Sequence, residues 1–329
     1  MPTWRLCSVT LCSLLLMVTT LGIVPVQSQP LPATTTSAPS TAALRSAYPP
    51  VAVPETRPVA AAIRASFRPP AEMPPPGRMP AGSYMRTIQE RGRLLVGTYS
   101  ELKLFGFADP LRDNTLVGFD IDIAKRVAKA IFGDADRVQF VTLTSAQRIP
   151  LVVSGQVDMV VATMTITAKR QEEVDFSEVY FDAGQRVLVR RDSQANGIQD
   201  LSGQRLCVVQ GSTGADVVPQ VNPHATLVTM AQYTDCLVAL RKDEVDAIVS
   251  DDVILAGLAT QDPYAKIVGA PFTHEPYGIA VAKQHPAFTA FVNGVLREIK
   301  QRGEWAALYK QWLGHLGSTP EPPVGIYTP

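Results

Sequence analysis

The chain has 329 residues, 46% of them hydrophobic, and its 30 Lys and Arg are balanced by 30 Asp and Glu, for zero formal net charge. That length supports one or two domains with cores of their own. Zero charge without a dense Lys/Arg stripe argues against a nucleic-acid partner. The four histidines are scattered, and no Cys/His cluster has metal-ligand spacing, so no metal or cofactor is expected.

Arg5 precedes an uncharged run from Leu6 to Val26 with its apolar centre at Leu14–Val18, and Val26-Gln27-Ser28 offers small residues at cleavage spacing. Residues 1–28 read as a secretory signal peptide, with an uncleaved membrane anchor as the alternative. Residues 29–83 hold thirteen of the 27 prolines and keep neither a helical nor a strand period. They read as an extended, disordered tether. A leader followed by a tether places the folded part at the extracytoplasmic face of a membrane.

From Tyr84 onward strand and helix signals alternate. Leu94–Thr98 reads as a strand. Ile121, Ala124, Val127, Ala128 and Ile131 form one helical face, with Asp120 as cap and Gly133 as stop. Phe140–Thr142 is strand-like, Ser145 starts a short helix, and Val157–Ala162 is a buried strand. A second unit repeats the pattern. Its strand Leu206–Gln210 runs into the turn Gly211-Ser212-Thr213-Gly214 and a helix. A further helix around Cys236–Leu240 is capped by Thr234, and the strand Val245–Val249 precedes a helix over Val253–Ala259. The alternation predicts parallel α/β sheets. Two extended stretches, Gln185–Arg190 and Tyr277–Ala282, join the units, and amphipathic helices over Phe288–Lys300 and Glu304–Leu313 pack back onto the first. Two lobes on two crossovers suit hinge closure around a small ligand.

The densest chemistry lies at Thr163-Met164-Thr165-Ile166-Thr167, followed by Arg170. Three hydroxyls and a guanidinium at a strand end form a donor set for a small carboxylate; the alternative is a capped helix start. Gly211-Ser212-Thr213 lies between a strand and a helix, where backbone N–H groups receive anions. Beyond the leader, Cys207 and Cys236 remain. An even pair in an exported protein favours a disulfide over two buried thiols.

The chain resembles the extracytoplasmic amino-acid-binding proteins of polar amino acid ABC transporters, family 3, and within them the actinobacterial glutamate/glutamine branch. The residues that carry the likeness are Leu116–Ala124, Arg148-Ile149-Pro150-Leu151, Ser154–Asp158, Thr165–Thr167 with Arg170, and Val174–Ser177 with Tyr180-Phe181. Further along they are Gly211-Ser212-Thr213, Asp235-Cys236-Leu237, Val245-Asp246-Ala247 with Asp251-Asp252, Pro276–Ile279 and Phe291-Val292-Asn293. Each motif is weak alone; their order and spacing over residues 84–315 are specific.

The resemblance implies a two-lobed type II periplasmic-binding-protein fold, α/β, with lobe 1 over 84–187 and 279–315, lobe 2 over 188–278, and a C-terminal tail over 316–329. It also implies site roles. Arg170 takes the ligand α-carboxylate, Asp251, rather than Asp252, takes the α-ammonium, and Thr165 with its hydroxyl and Thr163 with its carbonyl also meet the ligand amine. Ser212 and Thr213 contribute from lobe 2. Arg148 stands where relatives often carry an apolar or aromatic residue. A second buried cation asks for a second carboxylate, which favours glutamate or aspartate over glutamine and asparagine. The first loop, Ser100–Phe107, departs from the family's aromatic and Pro-Phe pattern, and Lys103 is either its candidate ligand contact or a surface lysine. The expected protein is a monomeric, non-catalytic receptor whose partners are permease subunits. A sensor reporting to a membrane receptor and a cyclohexadienyl or prephenate-type dehydratase on the same fold are the alternatives.

Overall fold

The computed structural model describes residues 65–328. The leader and residues 29–64 of the expected tether lie outside the described residues.

Lobe 1 opens with α1 (Tyr84–Arg91) and β1 (Leu94–Thr98), followed by a small three-stranded sheet of β2 (Glu101–Leu102), β3 (Gly106–Asp109) and β4 (Thr115–Val117). Then come α2 (Phe119–Phe132), β5 (Val138–Thr142), α3 (Arg148–Val153), β6 (Met159–Val160), α4 (Ala168–Gln171) and β7 (Val174–Phe176). The chain leaves through β8 (Phe181–Ala183). Lobe 2 contains β9 (Gln185–Arg190), β10 (Arg205–Val209), α5 (Gly214–Val221), β11 (Thr226–Met230), α6 (Tyr233–Arg241), β12 (Ala247–Asp251), α7 (Asp252–Ala259) and β13 (Ala265–Val268). The return runs through β14 (Glu275–Tyr277) to β15 (Ala280–Ala282), α8 (Pro286–Gln301) and α9 (Glu304–Leu313).

Each lobe has a five-stranded mixed sheet. The orders are β5-β1-β6-β15-β7 and β11-β10-β12-β9-β13. In both, three strands run parallel through helical crossovers, as the alternating sequence pattern requires; an antiparallel strand from the crossover region, β15 or β9, lies fourth, and β7 or β13 pairs antiparallel with it at the edge. The connection between lobes is the antiparallel pair β8 and β14, with Phe181 opposite Tyr277. The expected linkers sit slightly off this pair: Gln185–Arg190 is a strand of the lobe 2 sheet, and Ala280–Ala282 belongs to lobe 1. Lobe 1 therefore ends before Gln185 rather than at 187. Both linkers are apolar enough to read as extended chain, and only pairing decides which sheet takes them.

Two helix starts also differ from expectation. The residue preceding α2 is Gly118, and Asp120 sits buried in the first turn without capping it. The residue preceding α6 is Gln232, whereas Thr234 lies inside the helix. Gly133 ends α2 in the left-handed conformation as expected.

Residues 65–83 do not behave as a free tether. Met79 is buried, Met73 packs against the lobe 1 core, and Ser66 pairs with Tyr327 of the C-terminal segment in a parallel bridge. The tail over 316–329 is thus stitched to the body as far as it is described. An apolar side chain every few residues suffices for this docking, and the prolines that erase periodicity do not prevent it. Cys207 of β10 and Cys236 of α6 form a disulfide with Cα atoms 5.7 Å apart. Closing this loop stabilises lobe 2 by about 3–4 kcal/mol in the chain-entropy account. Among the described residues no helix is long and apolar enough to cross a membrane.

Candidate ligand-binding site

The carboxyl ends of β6, β10 and β12 face the same crevice, where ligands of open α/β sheets bind. Arg148, Thr163, Thr165 and Arg170 from lobe 1 and Ser212, Thr213, Gly214, Tyr233, Ser250 and Asp251 from lobe 2 or its edge line one enclosed cavity. Seven of the eight expected ligand contacts are gathered there. Lys103 is not: its ammonium lies over the Phe107 ring, 5.6 Å from the centroid. A half-buried aromatic ring is a better berth for this cation than a cleft already holding two guanidinium groups.

Arg148 starts α3 and is only 2% exposed, so it is no surface arginine. Its Nε donates to Ser145 O at 3.0 Å and its Nη1 to Ala162 O at 3.1 Å, while Nη2 crosses the cleft to Gly211 O at 3.0 Å. Arg170 donates from Nη1 to Thr165 O at 2.7 Å and from Nη2 to the same Gly211 carbonyl at 2.9 Å. Burial, reinforced by repulsion from Arg148, pulls the Arg170 guanidinium down to about 10. Thr167 accepts from Arg170 N at 3.2 Å and caps α4.

The lobes meet closely at Gly211. Its φ is +80°, and a Cβ there would stand 2.8 Å from Ala146 N and Cα. Only glycine fits that approach. The cavity between the lobes has a volume of about 10 Å³, about the room of one water molecule, so admission of a larger solute requires the lobes to part.

Asp251 and Asp252 have different surroundings. Asp252 accepts from Val253 N at 2.8 Å and Gly184 N at 3.4 Å. Asp251 makes no cap bond and faces the cavity, with Tyr277 Oη donating to its Oδ2 at 2.5 Å. Burial and the nearby Glu275 carboxylate hold the Asp251 carboxyl well above the usual carboxylate range.

Several site residues carried no clear sequence signal. Glu275 of β14 is buried; it accepts from Thr165 Oγ1 at 2.7 Å, Thr213 Oγ1 at 2.9 Å and Gln185 Nε2 at 3.0 Å. This carboxylate ties lobe 1, lobe 2 and the connecting strands together. Tyr233 of α6 meets Tyr99 of lobe 1 edge-on at 6.0 Å, and Tyr99 Oη pairs with Ser145 Oγ at 2.5 Å. An aromatic pair thus flanks the cleft although the first loop lacks the family's ring pattern.

Thr163 has φ +40°, a conformation that a β-branched residue adopts at a cost. Asp120 holds it there: Oδ2 accepts from Thr163 N at 2.9 Å, while Oδ1 accepts from Tyr180 Oη at 2.8 Å. Thr163 lines the cavity, and its buried hydroxyl has no hydrogen-bond partner among the described residues. Burial pushes the Asp120 carboxyl up to about 6, against the two hydrogen bonds that lower it. A carboxyl with a raised native value binds its proton more readily when folded. Its stabilising contribution is complete below about pH 4 and is lost as pH rises through about 6. Urea unfolding at pH 5 and pH 7 is expected to show a larger loss of stability on going to pH 7 in the wild type than in Asp120→Asn; equal losses would place the titration elsewhere.

Residues 94–315 match the family described as bacterial extracellular solute-binding proteins, family 3. The chain belongs to that family. An ABC transporter glutamine-binding protein from Bacillus subtilis is 38% identical over 230 residues, 70% of this chain and 84% of that protein. A glutamate-binding protein from Corynebacterium glutamicum is 35% identical over 237 residues, 68% of this chain and 80% of that protein. Among solved structures, an ancestral arginine-binding protein bound to glutamine aligns with a TM-score of 0.64 at 36% identity, covering 68% of this chain and 99% of that one. The fold of this family 3 protein is therefore the two-lobed type II arrangement. It is a solute-binding protein and not an enzyme.

Proposed function

We propose that this protein captures glutamine or glutamate between its lobes, outside the cytoplasmic membrane, and delivers it to the permease subunits of an ABC importer. The carrying observation is the convergence of Arg170, Thr163, Thr165, Ser212, Thr213 and Asp251 from both lobes on one enclosed cavity. In this reading the guanidinium of Arg170 takes the α-carboxylate as a fork, with Ser212 and Thr213 on the same group from lobe 2. Asp251 takes the α-ammonium, aided by the Thr163 carbonyl and the Thr165 hydroxyl. The carbonyl of Gly211, which now accepts from both arginines, yields them to the ligand.

Arg148 reads the side chain. Taken alone it asks for an acidic ligand. Glu275 alters that balance: once a ligand ammonium meets Asp251 and favours its charged form, the two guanidinium groups are matched by the carboxylates of Asp251 and Glu275, so the occupied cleft holds its own counter-charges. A zwitterion with a neutral amide adds no net charge, whereas glutamate adds one negative charge to a dry cavity. This ranks glutamine first, glutamate second and aspartate third. The names of the Bacillus and Corynebacterium relatives support the pair without ordering it.

Calorimetric titration of the purified protein with glutamine, glutamate, aspartate and arginine tests the reading. Glutamine is expected to bind tightest. Glutamate or aspartate binding tenfold tighter would reverse the order, and no heat from any amino acid would move the protein to another class of small solute.

A further inference from the structure

The first loop of lobe 1 contributes no side chain to the cavity, yet it reaches lobe 2. Glu101 of β2 accepts from Tyr233 N at 3.0 Å through Oε1 and from Thr234 N at 3.1 Å through Oε2, and the Thr234 hydroxyl donates to Oε2 as well. These N–H groups open the first turn of α6 and have no partner inside the helix. Gln232 N donates to Asp235 Oδ2 within α6 itself, and the next two N–H groups are capped by a carboxylate from lobe 1, placed at the positive end of the helix dipole. Two residues on, the Lys103 carbonyl approaches α7 so closely that a Cβ at Gly257 would stand 2.6 Å from it.

We propose that Glu101 is an interlobe latch: a positioning residue that holds the closed cleft without touching the solute. The proposal rests on the amino-acid-binding reading and deepens it by separating two kinds of closing contact. The contacts of Arg148 and Arg170 with Gly211 lie in the cavity and compete with a ligand carboxylate. The Glu101 contacts lie outside it and persist when a ligand enters. They also fix what the ligand meets. Helix α6 carries Tyr233 into the cavity wall, and its Cys236 is tied to Cys207 on β10, the strand that runs into the Gly211–Gly214 turn. Docking α6 on Glu101 therefore brings Tyr233 and the anion-receiving turn to the ligand as one body.

A latch of this kind scales the closed population for every ligand alike. Glu101→Ala is expected to raise the dissociation rate of glutamine and of glutamate by the same factor, about tenfold or more from the loss of a charge-assisted cap. The ratio of the two affinities stays unchanged. Thr234→Val, which removes one donor to the same carboxylate, is expected to give a smaller change that is not additive with Glu101→Ala. Stopped-flow dissociation and calorimetry read these effects, with unfolding midpoints measured alongside. Unchanged dissociation rates overturn the proposal. So do unequal factors for glutamine and glutamate, which would make Glu101 a ligand contact. If wild type binds no amino acid, the ligand reading fails by itself. The latch is then decided by solution X-ray scattering, in which Glu101→Ala is expected to have the larger radius of gyration; equal radii overturn it.

Discussion

Arg170→Ala is expected to weaken amino-acid binding by at least about 2 kcal/mol, roughly thirty-fold. The magnitude follows from what the guanidinium does. A hydrogen bond to a charged group contributes about 1.5–3 kcal/mol net, and a forked pair adds direction to strength. The native setting makes this group costly to hold and useful to engage. Burial and the neighbouring Arg148 already disfavour its charge, so an arriving carboxylate relieves repulsion as well as accepting bonds. Arg170→Lys keeps a cation but loses the fork, and is expected to recover only part of the affinity. Both variants lose the bond to Thr165 O, so the unfolding midpoint must be followed beside the calorimetry. A folded Arg170→Ala protein with wild-type affinity would remove Arg170 from the site.

The parts of this site that were legible in the sequence are those whose chemistry stands next to a local structural signal. Arg170 follows a Thr-rich strand end, Ser212 and Thr213 fill a strand-to-helix turn, and Asp251 ends a strand before a helix. Glu275 follows no such signal. It is one acid in the stretch His274-Glu275-Pro276-Tyr277, and its role comes from β14 pairing with β8 and from the Thr165–Tyr277 bridge, both long-range events. Asp120 was legible as a helix-start acid, and its actual work, bracing Thr163 from 43 residues away, depends on the packing of α2 against β1, the strand beside β6. Lys103 lies off the cavity lining for a related reason: proximity in sequence to a cleft loop says nothing about which way a side chain turns, and here it turns to the Phe107 ring.

The fold was legible to the level of two α/β lobes because period and order carry that information. Strand boundaries at the hinge were not, since Ala183 to Gln185 passes from one pairing partner to another without a change in composition. Residues 65–83 differ from the expected free tether for a different reason. Prolines mark segments that cannot form helices or inner strands, and such a segment can still dock when apolar and hydrogen-bonding groups recur along it. Ser66 shows this: its Oγ donates to Phe176 O at 2.7 Å and accepts from Asn293 Nδ2 at 2.7 Å.

The same docked ends enclose an ion pair whose disruption gives the largest expected loss of stability. Glu178 and Lys300 are both largely buried, with Nζ to Oε1 at 2.6 Å. Lys300 also donates to Val179 O at 2.7 Å and to Pro323 O at 2.8 Å, and Tyr327 Oη donates to the second carboxylate oxygen of Glu178. Burial depresses the Lys300 ammonium and raises the Glu178 carboxyl, and each partner opposes the shift in the other. Glu178→Ala leaves a buried ammonium without its counter-charge and Tyr327 without its acceptor, an expected cost of about 3–5 kcal/mol. Removing both charges is a different experiment. Glu178→Leu with Lys300→Met replaces the pair by apolar groups of similar bulk and is expected to recover most of that loss. Urea unfolding of the wild type, the single variant and the double variant separates the two cases. A single variant within 1 kcal/mol of wild type would mean that water reaches the pair. A double variant as unstable as the single one would mean that the hydrogen bonds of Lys300 to Val179 and Pro323, rather than its charge, hold the C-terminal segment on lobe 1.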